Sequence, residues 1–170
     1  MLGLPKGIVK LEPHTEIWRQ LFAEEARRIR AAVGEYITAI EHVGSTAIDG
    51  MAAKPIIDMT ASLENLADGK KCVAPLENIG YEYRGEYGVV GRFYFVKGEP
   101  RTHHLHIVHA DSEFRRSHLL FRDYLRENAF AAKEYEKLKI DLAAKYPRNR
   151  NAYLEGKAEF IENILSKAAS

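Results

Sequence analysis

The chain has 170 residues, of which 46% are hydrophobic and 29% are charged, and this composition is typical of one globular domain. Lys and Arg total 25 against 24 for Asp and Glu, so the net charge of +1 creates no general attraction to nucleic acid or to a membrane surface. Neither of these is therefore expected as a partner.

The single cysteine, Cys72, excludes a disulfide within the chain and is predicted to be a small buried hydrophobic side chain. No run of about 18 apolar residues indicates a membrane span, and the N-terminal segment lacks the pattern of a signal peptide. These features predict a cytoplasmic location.

Hydrophobic periodicity predicts a helix, two strands, a second helix, three further strands and then helices to the end of the chain. The predicted ranges are 15–33 (helix), 36–43 and 55–61 (strands), 63–79 (helix), 81–84, 89–96 and 102–109 (strands), and 112–170 (helical, with a break at 146–149). Pro75 is expected to interrupt the second helix or to begin its last turn.

This order of elements predicts an α+β fold with a mixed β-sheet and an N-terminal helix. We expect a single domain, 1–170, in which residues 1–111 form the sheet half and residues 112–170 form the helical half. The helices of the second half are expected to form the wall of a site on the sheet.

A Gly-Ser turn lies between the first two predicted strands. Gly44 permits a close approach of the backbone, while Ser45 and Thr46 offer hydroxyl and amide donors that suit the oxygens of a phosphate group. Asp58, on the second strand, projects a carboxylate beside the turn, where it is able to hold a divalent ion. Lys54 adds a positive charge for the phosphate, unless it is a solvated lysine at the edge of the strand.

Two sequence strings, IEHVGST at 40–46 and AKPIID at 53–58, resemble the GrpB-like family. These are small bacterial proteins of the nucleotidyltransferase superfamily that also occur fused to dephospho-CoA kinases. Shorter strings extend the resemblance over most of the chain: RDYL at 122–125, YEKLK at 135–139 and YLEGK at 153–157. The resemblance implies a nucleotidyltransferase-like fold, a nucleotide ligand and a metal-dependent transfer reaction in which Asp58 is catalytic.

One residue departs from the pattern of that superfamily. Metal-dependent nucleotidyl transfer usually needs two carboxylates on alternate residues of one strand, because a period of two places both on one face, where they share two metal ions. Here the sequence reads Asp58-Met59-Thr60, so the second position carries a neutral hydroxyl. This departure favours one metal ion, or a binding site without chemistry, over a two-metal centre.

Four of the seven histidines lie in the predicted strand 102–109. Alternation places His104 and His106 together on the face opposite the core. The resemblance implies that they replace a third carboxylate, so that Asp58, His104 and His106 form a mixed oxygen and nitrogen site for a divalent metal such as Mg, Mn or Zn. Such a donor set favours a transition metal over Mg. In the alternative interpretation, both histidines bind no metal and hydrogen-bond to their neighbours.

Further pocket residues are predicted next to these. His42 comes just before the Gly-Ser turn and is predicted to shape the same pocket, as is Thr60. In a regular strand Glu41 and His42 point to opposite faces, so only one of them shares the face of the site.

The helical half supplies candidate phosphate-binding bases. Lys157 falls on the apolar stripe that begins at Tyr153, which is unfavourable for an ammonium group unless it reaches an anion or extends to solvent. Arg122 and Lys139 flank similar stripes and are predicted to bind phosphate, or else to be surface charges. Glu25, on the apolar stripe of the first helix, is a candidate internal partner for one of these bases.

Several enzyme classes lack their motifs in this sequence. There is no Walker-type lysine loop, no Gly-x-Gly-x-x-Gly fingerprint and no nucleophilic serine elbow, so P-loop, Rossmann and covalent hydrolase functions have no support. The leading hypothesis is a nucleotidyltransferase-like protein that binds a nucleotide or another phosphorylated small molecule. The alternative is a non-catalytic module that binds a nucleotide or a coenzyme A precursor, or that assists a kinase. A structural scaffold without a ligand ranks last.

Overall fold

The computed structural model describes all 170 residues, with a five-stranded mixed sheet and helices on both of its faces. The elements, in chain order, are α1 (Ile17–Val33), β1 (Ala39–Val43), β2 (Ile57–Leu63), α2 (Gly69–Glu77), β3 (Tyr81–Tyr83), β4 (Phe93–Lys97), β5 (His103–His109), α3 (Glu113–Glu127), α4 (Ala129–Lys145) and α5 (Arg150–Ala168). The predicted α+β class, the N-terminal helix and the C-terminal helical half are confirmed. No helix combines the length and the apolar character that are needed to span a bilayer.

The strands are ordered β1-β2-β5-β4-β3, and only the central pair, β2 with β5, is parallel. In that pair Asp58 is aligned with His104, and Thr60 is aligned with His106. Because directly aligned residues point to the same face of a sheet, these four side chains share one face. The register therefore joins two predicted site segments that are 46 positions apart in the sequence.

The other face of the sheet carries the main apolar core. Met59, Leu105 and Ile107 are fully buried there, as the alternation along β2 and β5 predicts. Helices α1 and α2 cover this face, and α1 contributes Trp18 and Ile29 to the same cluster. The strands thus direct their apolar residues to α1 and α2 and leave the opposite face to polar residues.

Helices α3, α4 and α5 lie over the polar face of the sheet. Their own apolar cluster joins Ile48 and Met51, from the segment after β1, to Leu125, Tyr135 and Ile164. No strand residue belongs to that cluster, so the helices and the sheet are not held together by a continuous apolar layer. The space between them is the candidate site.

Several predicted strands begin later or end earlier than their sequence patterns indicate; β1, for example, begins at Ala39 and not at residue 36. The strand predicted at 89–96 begins only at Phe93, because the preceding residues form a loop in which Gly85, Gly88 and Gly91 have positive φ angles. A strand cannot continue through such conformations, and glycine adopts them without steric cost.

The predicted helix 63–79 is also shorter. A single 3₁₀ turn and α2 replace it, and Pro75 lies in the last turn of α2 without interrupting it. Cys72 is fully buried on α2, as predicted, and burial raises the pKa of its thiol to about 11. The helical half divides at Asn128 in addition to the predicted break at 146–149.

Candidate functional site

A cavity of about 490 Å³ lies between the polar face of the sheet and the three C-terminal helices. It is lined by segments that are far apart in the sequence, including the turn after β1, parts of β2, β4 and β5, and residues of α3, α4 and α5. Most of the site residues predicted from the sequence lie in its wall: Gly44, Ser45, Thr46, Lys54, Asp58, His104, His106, Lys139 and Lys157.

Gly44 shapes the turn at one end of the cavity. Its φ of 74° and ψ of −175° form a combination that is essentially restricted to glycine. A Cβ atom at this position would lie 3.0 Å from Asp58 Oδ2. Residues Ser45–Ala47 then form one 3₁₀ turn, in which Thr46 Oγ1 is hydrogen-bonded to His42 Nε2 over 2.8 Å. The turn brings backbone and hydroxyl groups next to the Asp58 carboxylate, as the motif predicts.

Asp58 and His104 form a hydrogen-bonded pair in the cavity. His104 Nδ1–H donates to Asp58 Oδ1 over 2.8 Å, which leaves Nε2 of a neutral His104 ring as an acceptor. Burial by itself would raise the pKa of Asp58, but the charge and hydrogen bond of His104, with the charges of His106 and Lys54, hold that pKa below its ordinary value. Asp58 is therefore ionised at neutral pH and accepts the hydrogen bond of the His104 imidazole.

His106 is enclosed by aromatic rings and a guanidinium group. Arg92 Nη1 donates to His106 Nδ1 over 3.3 Å, and the ring centroids of Tyr94 and Phe114 lie 5.0 and 4.9 Å from that of His106. Burial lowers the pKa of His106 to about 3, so its ring is neutral at physiological pH. Because Nδ1 accepts the bond from Arg92, the ring proton is on Nε2.

These hydrogen bonds decide how well Asp58, His104 and His106 fit the predicted metal site. An imidazole that binds a metal needs a free lone pair on one nitrogen. In His106 one nitrogen accepts from Arg92 and the other carries the proton. The ligand atoms of the three side chains also do not all lie within 4.8 Å of one another. In this arrangement they do not fit a three-ligand site, and a divalent ion such as Mg, Mn or Zn stays a prediction.

Four basic side chains converge elsewhere in the cavity wall. We call this set the basic cluster: Lys54, Lys139, Lys157 and Arg150. Lys139 and Lys157 each lie one helical turn after a tyrosine, with their Nζ atoms 5.0 Å from the Tyr135 ring centroid and 4.6 Å from the Tyr153 ring centroid. Lys54 Nζ lies 5.3 Å from the same Tyr153 ring. The loop before β2 and two helices thus bring three ammonium groups to the cavity wall, where that of Lys139 also donates to the Ala52 carbonyl.

The carboxylates of Asp58 and Glu136 compensate the basic cluster only in part: Asp58 favours the charged forms of Lys54 and Lys157, and Glu136 favours that of Lys139, but burial outweighs both. None of its four members forms a salt bridge within the chain. Burial and the charge of Lys157 lower the pKa of Lys139 to about 7, and burial and the charge of Lys54 lower that of Lys157 to about 7. Burial also lowers the pKa of Lys54. An anion that binds near Lys139 and Lys157 would raise their pKa values, so both lysines would take up protons.

Three predicted site residues are not brought to the cavity wall. Arg122 donates to Glu41 over 2.7 Å, so its charge is already paired. His42 packs on the α1 side, with its ring 4.7 Å from that of Phe22. Thr60 is almost completely buried beneath the cavity, and its hydroxyl has no hydrogen-bond partner. Since Glu41 is aligned with Thr60, it is Glu41 and not His42 that shares the face of the site.

The prediction that Glu25 pairs with a base of the helical half is wrong. Helix α1 packs on the opposite face of the sheet, so Glu25 lies far from the basic cluster. Its carboxylate accepts hydrogen bonds from Lys97 Nζ and from the Tyr81 hydroxyl, each over 2.8 Å. Glu25 therefore belongs to a buried polar network between α1, β3 and β4.

Several residues of the cavity wall were not predicted from the sequence: Tyr87, Arg92, Tyr94, His118 and Arg150. Arg92 and Tyr94 are two residues apart, so alternation predicts that they share a face, but it does not say which one. The pairing of Tyr94 with His106 decides this. Arg150 was accessible to sequence reasoning, because it precedes Lys157 by seven residues and therefore lies on the same side of α5.

The comparison with known proteins gives a consistent result over nearly the whole chain. The model of a family described as "GrpB protein" matches residues 8–167. UPF0157 protein YqkA of Bacillus subtilis is 43% identical over 165 residues, which are 96% of this chain and 48% of that protein, so the chain spans about half of its length. Glutamate-rich protein GrpB of Alkalihalophilus pseudofirmus is 38% identical over 173 residues, with 98% and 99% coverage of the two chains.

Two further similarities concern an enzyme and a solved structure. A dephospho-CoA kinase of Mycolicibacterium paratuberculosis is 33% identical over 81 residues, which are 46% of this chain and 20% of the kinase. The crystal structure of conserved protein GrpB from Enterococcus faecalis has a TM-score of 0.88 and 38% identity, covering 94% of this chain and 96% of its own. On the family match and these relatives, the chain belongs to the GrpB family.

Proposed function

We propose that this protein binds a phosphorylated small molecule, with a nucleotide as the leading class, in the cavity between its sheet and its C-terminal helices. The observation that supports this most strongly is the basic cluster, whose four cationic side chains line one cavity and form no salt bridge. Holding like charges together in a partly desolvated space is unfavourable unless an anion neutralises them.

The turn at Gly44 and the basic cluster offer complementary contacts to such an anion. Backbone N–H groups and the hydroxyls of Ser45 and Thr46 suit phosphate oxygens, while the lysines contribute point charges. A bound phosphate favours the charged form of Lys139 and Lys157, each of which has a pKa of about 7 in the free protein. Binding is therefore coupled to proton uptake, and the affinity is expected to fall as the pH rises through 7.

Isothermal titration calorimetry tests this proposal with three ligands: tripolyphosphate, ATP and dephospho-CoA, the last because a mycobacterial relative is named a dephospho-CoA kinase. The wild type is expected to bind tripolyphosphate and ATP, and more tightly at about pH 6 than at about pH 8.5. Lys157→Gln removes one charge from the cavity and is expected to weaken both affinities about 10- to 100-fold, the value of a charge-assisted hydrogen bond.

Lys167→Gln is the matched control, because Lys167 is an exposed lysine on the same helix, α5, and does not line the cavity. Its ligand affinities are expected to equal those of the wild type. The proposal would be contradicted if the wild type bound none of the three ligands. It would also be contradicted if Lys157→Gln and Lys167→Gln lost equal ligand affinity.

Transfer chemistry at Asp58 is the finer hypothesis within this proposal. The hydrogen bond from His104 supports it, because a carboxylate that orients an imidazole and stabilises its charged form is a common arrangement for removing a proton from an attacking hydroxyl. Developing charge on the phosphate would then be stabilised by the basic cluster. In the ATP titrations water is the acceptor, so release of equal amounts of AMP and pyrophosphate by the wild type but not by Asp58→Asn supports this chemistry.

Thr60 favours the alternative, a non-catalytic binding module. The position where a second carboxylate is needed lies beneath the cavity and is not part of its wall. A module of this kind would bind ATP or dephospho-CoA at the basic cluster without consuming either. Binding without product, with affinities lowered by Lys157→Gln, is therefore the outcome that distinguishes the module from the transferase.

A further inference from the structure

The loop between β3 and β4, residues 84–92, places an exposed tyrosine at the mouth of the cavity. Tyr87 is 63% exposed and is the one non-glycine residue with a positive φ angle, 49°. This backbone conformation is uncommon for residues other than glycine, asparagine and aspartate, and an exposed aromatic ring contributes little to folding. The position thus combines two features that stability alone does not favour.

Buried Arg92 fixes the backbone of this loop at Tyr87. Its Nη2 donates to the Tyr87 carbonyl over 2.8 Å, and its Nε donates to the Glu86 carbonyl over 3.1 Å. The Glu86 carboxylate in turn accepts from the N–H of Gly91, which closes the loop on itself. Arg92 is only 7% exposed and also donates to His106, so one guanidinium ties the loop to the face of the sheet.

The Tyr87 ring continues a row of aromatic rings that begins inside the cavity. The centroid of Tyr94 lies 5.4 Å from that of Tyr87 and 5.0 Å from that of His106. Tyr94 is buried, whereas most of the Tyr87 surface is open to solvent. The outermost ring of the row is therefore available to a ligand, and the inner rings support it.

Tyr87 also lies within reach of the basic cluster. It lines both the main cavity and a smaller cleft of about 100 Å³, and Lys54 and Arg150 line the same two spaces. A single elongated ligand is thus able to contact the cluster with its phosphates and the tyrosine with another group.

We infer that Tyr87 is a stacking platform for the nucleobase of a phosphorylated ligand whose phosphates occupy the basic cluster. The inference rests on the proposed function, because that proposal locates the phosphates. Stacking on a tyrosine accepts any base, since every base has a π-face. The platform therefore selects nucleoside phosphates over inorganic polyphosphates without fixing the identity of the base.

The test compares ATP with tripolyphosphate, which carries the phosphates without the base. Tyr87→Asn removes the ring and keeps a residue that tolerates positive φ. This variant is expected to bind ATP about 5- to 100-fold more weakly than the wild type, the range for loss of one stacked base, and to bind tripolyphosphate unchanged. Tyr87→Phe retains the ring and is expected to keep the wild-type affinity for both ligands.

Val90→Ala is the matched control, because Val90 is 96% exposed in the same loop and carries no ring. A second readout does not depend on the asparagine variant. The chain has one tryptophan, Trp18, which is buried, so Tyr87→Trp introduces an exposed fluorophore whose emission ATP should quench and tripolyphosphate should not.

The outcomes separate this inference from the function on which it rests. If tripolyphosphate binds and Tyr87→Asn leaves the ratio of the ATP and tripolyphosphate affinities unchanged, the stacking platform is overturned while the phosphate site stands. If neither ligand binds to the wild type, the proposed function fails and the platform fails with it. Quenching of the introduced tryptophan by both ligands would also overturn the platform.

Discussion

Gly44 is a residue whose replacement should affect both folding and ligand binding. Its backbone conformation carries a penalty of about 1–3 kcal/mol for any other residue, and an added Cβ would approach Asp58 Oδ2. Gly44→Ala is therefore expected to lower the free energy of unfolding and also to displace the carboxylate. Urea unfolding and ATP titration of the same sample measure the two effects.

Gly50→Ala is the control for this substitution. Gly50 also has a positive φ, 77°, but a Cβ there would have no atom within 4 Å. The variant is expected to lose stability through the backbone conformation alone and to bind ATP like the wild type. Equal losses of ATP affinity in both glycine variants would show that Gly44 acts only through stability.

At the scale of single residues, the sequence predicted those site members whose chemistry is unusual for their place. Lys157 was noticeable because an ammonium group interrupts an apolar stripe, and Asp58 because its carboxylate lies on the apolar strand that follows the Gly-Ser turn. Arg92 gave no such signal, since an arginine near a strand is ordinary. Arg122 gave a false signal, because its partner Glu41 comes from a distant strand that periodicity does not connect to α3.

Among the elements, helix α5 faces Leu142 of α4 at Gly156. A Cβ at this position would overlap the side chain of Leu142 on α4. Gly156→Val is therefore expected to destabilise the protein by about 1–3 kcal/mol through overpacking. Thermal and urea unfolding measure this change, and the cavity should lose ATP affinity because α5 carries Lys157.

A double-mutant cycle shows whether the contact between position 156 and Leu142 causes the loss of stability. Leu142→Ala provides room for the added valine, so the two substitutions together should destabilise less than the sum of their separate effects. Ala158→Val is the control on the same helix, because Ala158 is exposed and its change should cost only a few tenths of a kcal/mol of helix propensity. Strict additivity of the two changes would contradict the close contact.

The boundaries of helices and strands are predicted correctly where the periodicity is uninterrupted. They are predicted wrongly where local backbone geometry makes an element shorter than its pattern. The alternation in β5 correctly separated Leu105 from His104 because each residue of a regular strand changes face. The strand predicted from residue 89 failed because Gly91 and its neighbours form a loop. The parallel pairing that aligns Asp58 with His104 is a long-range event, and no local pattern in either strand encodes it.

For the whole molecule, buried histidines set the response of stability to acid. Burial lowers the pKa of His42 and of His103 to about 4, and that of His106 to about 3. In the unfolded chain these groups titrate near the ordinary value of about 6.5. Between these values the unfolded state binds more protons than the folded state, so the free energy of unfolding falls as the pH is lowered from about 7 to about 4.

The upper limit of this loss is roughly 3 kcal/mol for each histidine, since one pKa unit corresponds to about 1.4 kcal/mol. Urea unfolding at a series of pH values measures it. His103→Gln removes one of the titrating groups and is expected to reduce the pH dependence without abolishing it. A free energy of unfolding that stays constant between about pH 7 and about pH 5 would contradict the prediction.

The division of the apolar residues into two clusters has a consequence for motion. The cluster under α1 and α2 and the cluster within the C-terminal helices share no residue, and the cavity lies along the seam between them. Opening along this seam would leave the apolar contacts within each cluster in place. Repulsion among the cations of the basic cluster favours that opening, and a bound polyanion is expected to oppose it by neutralising them.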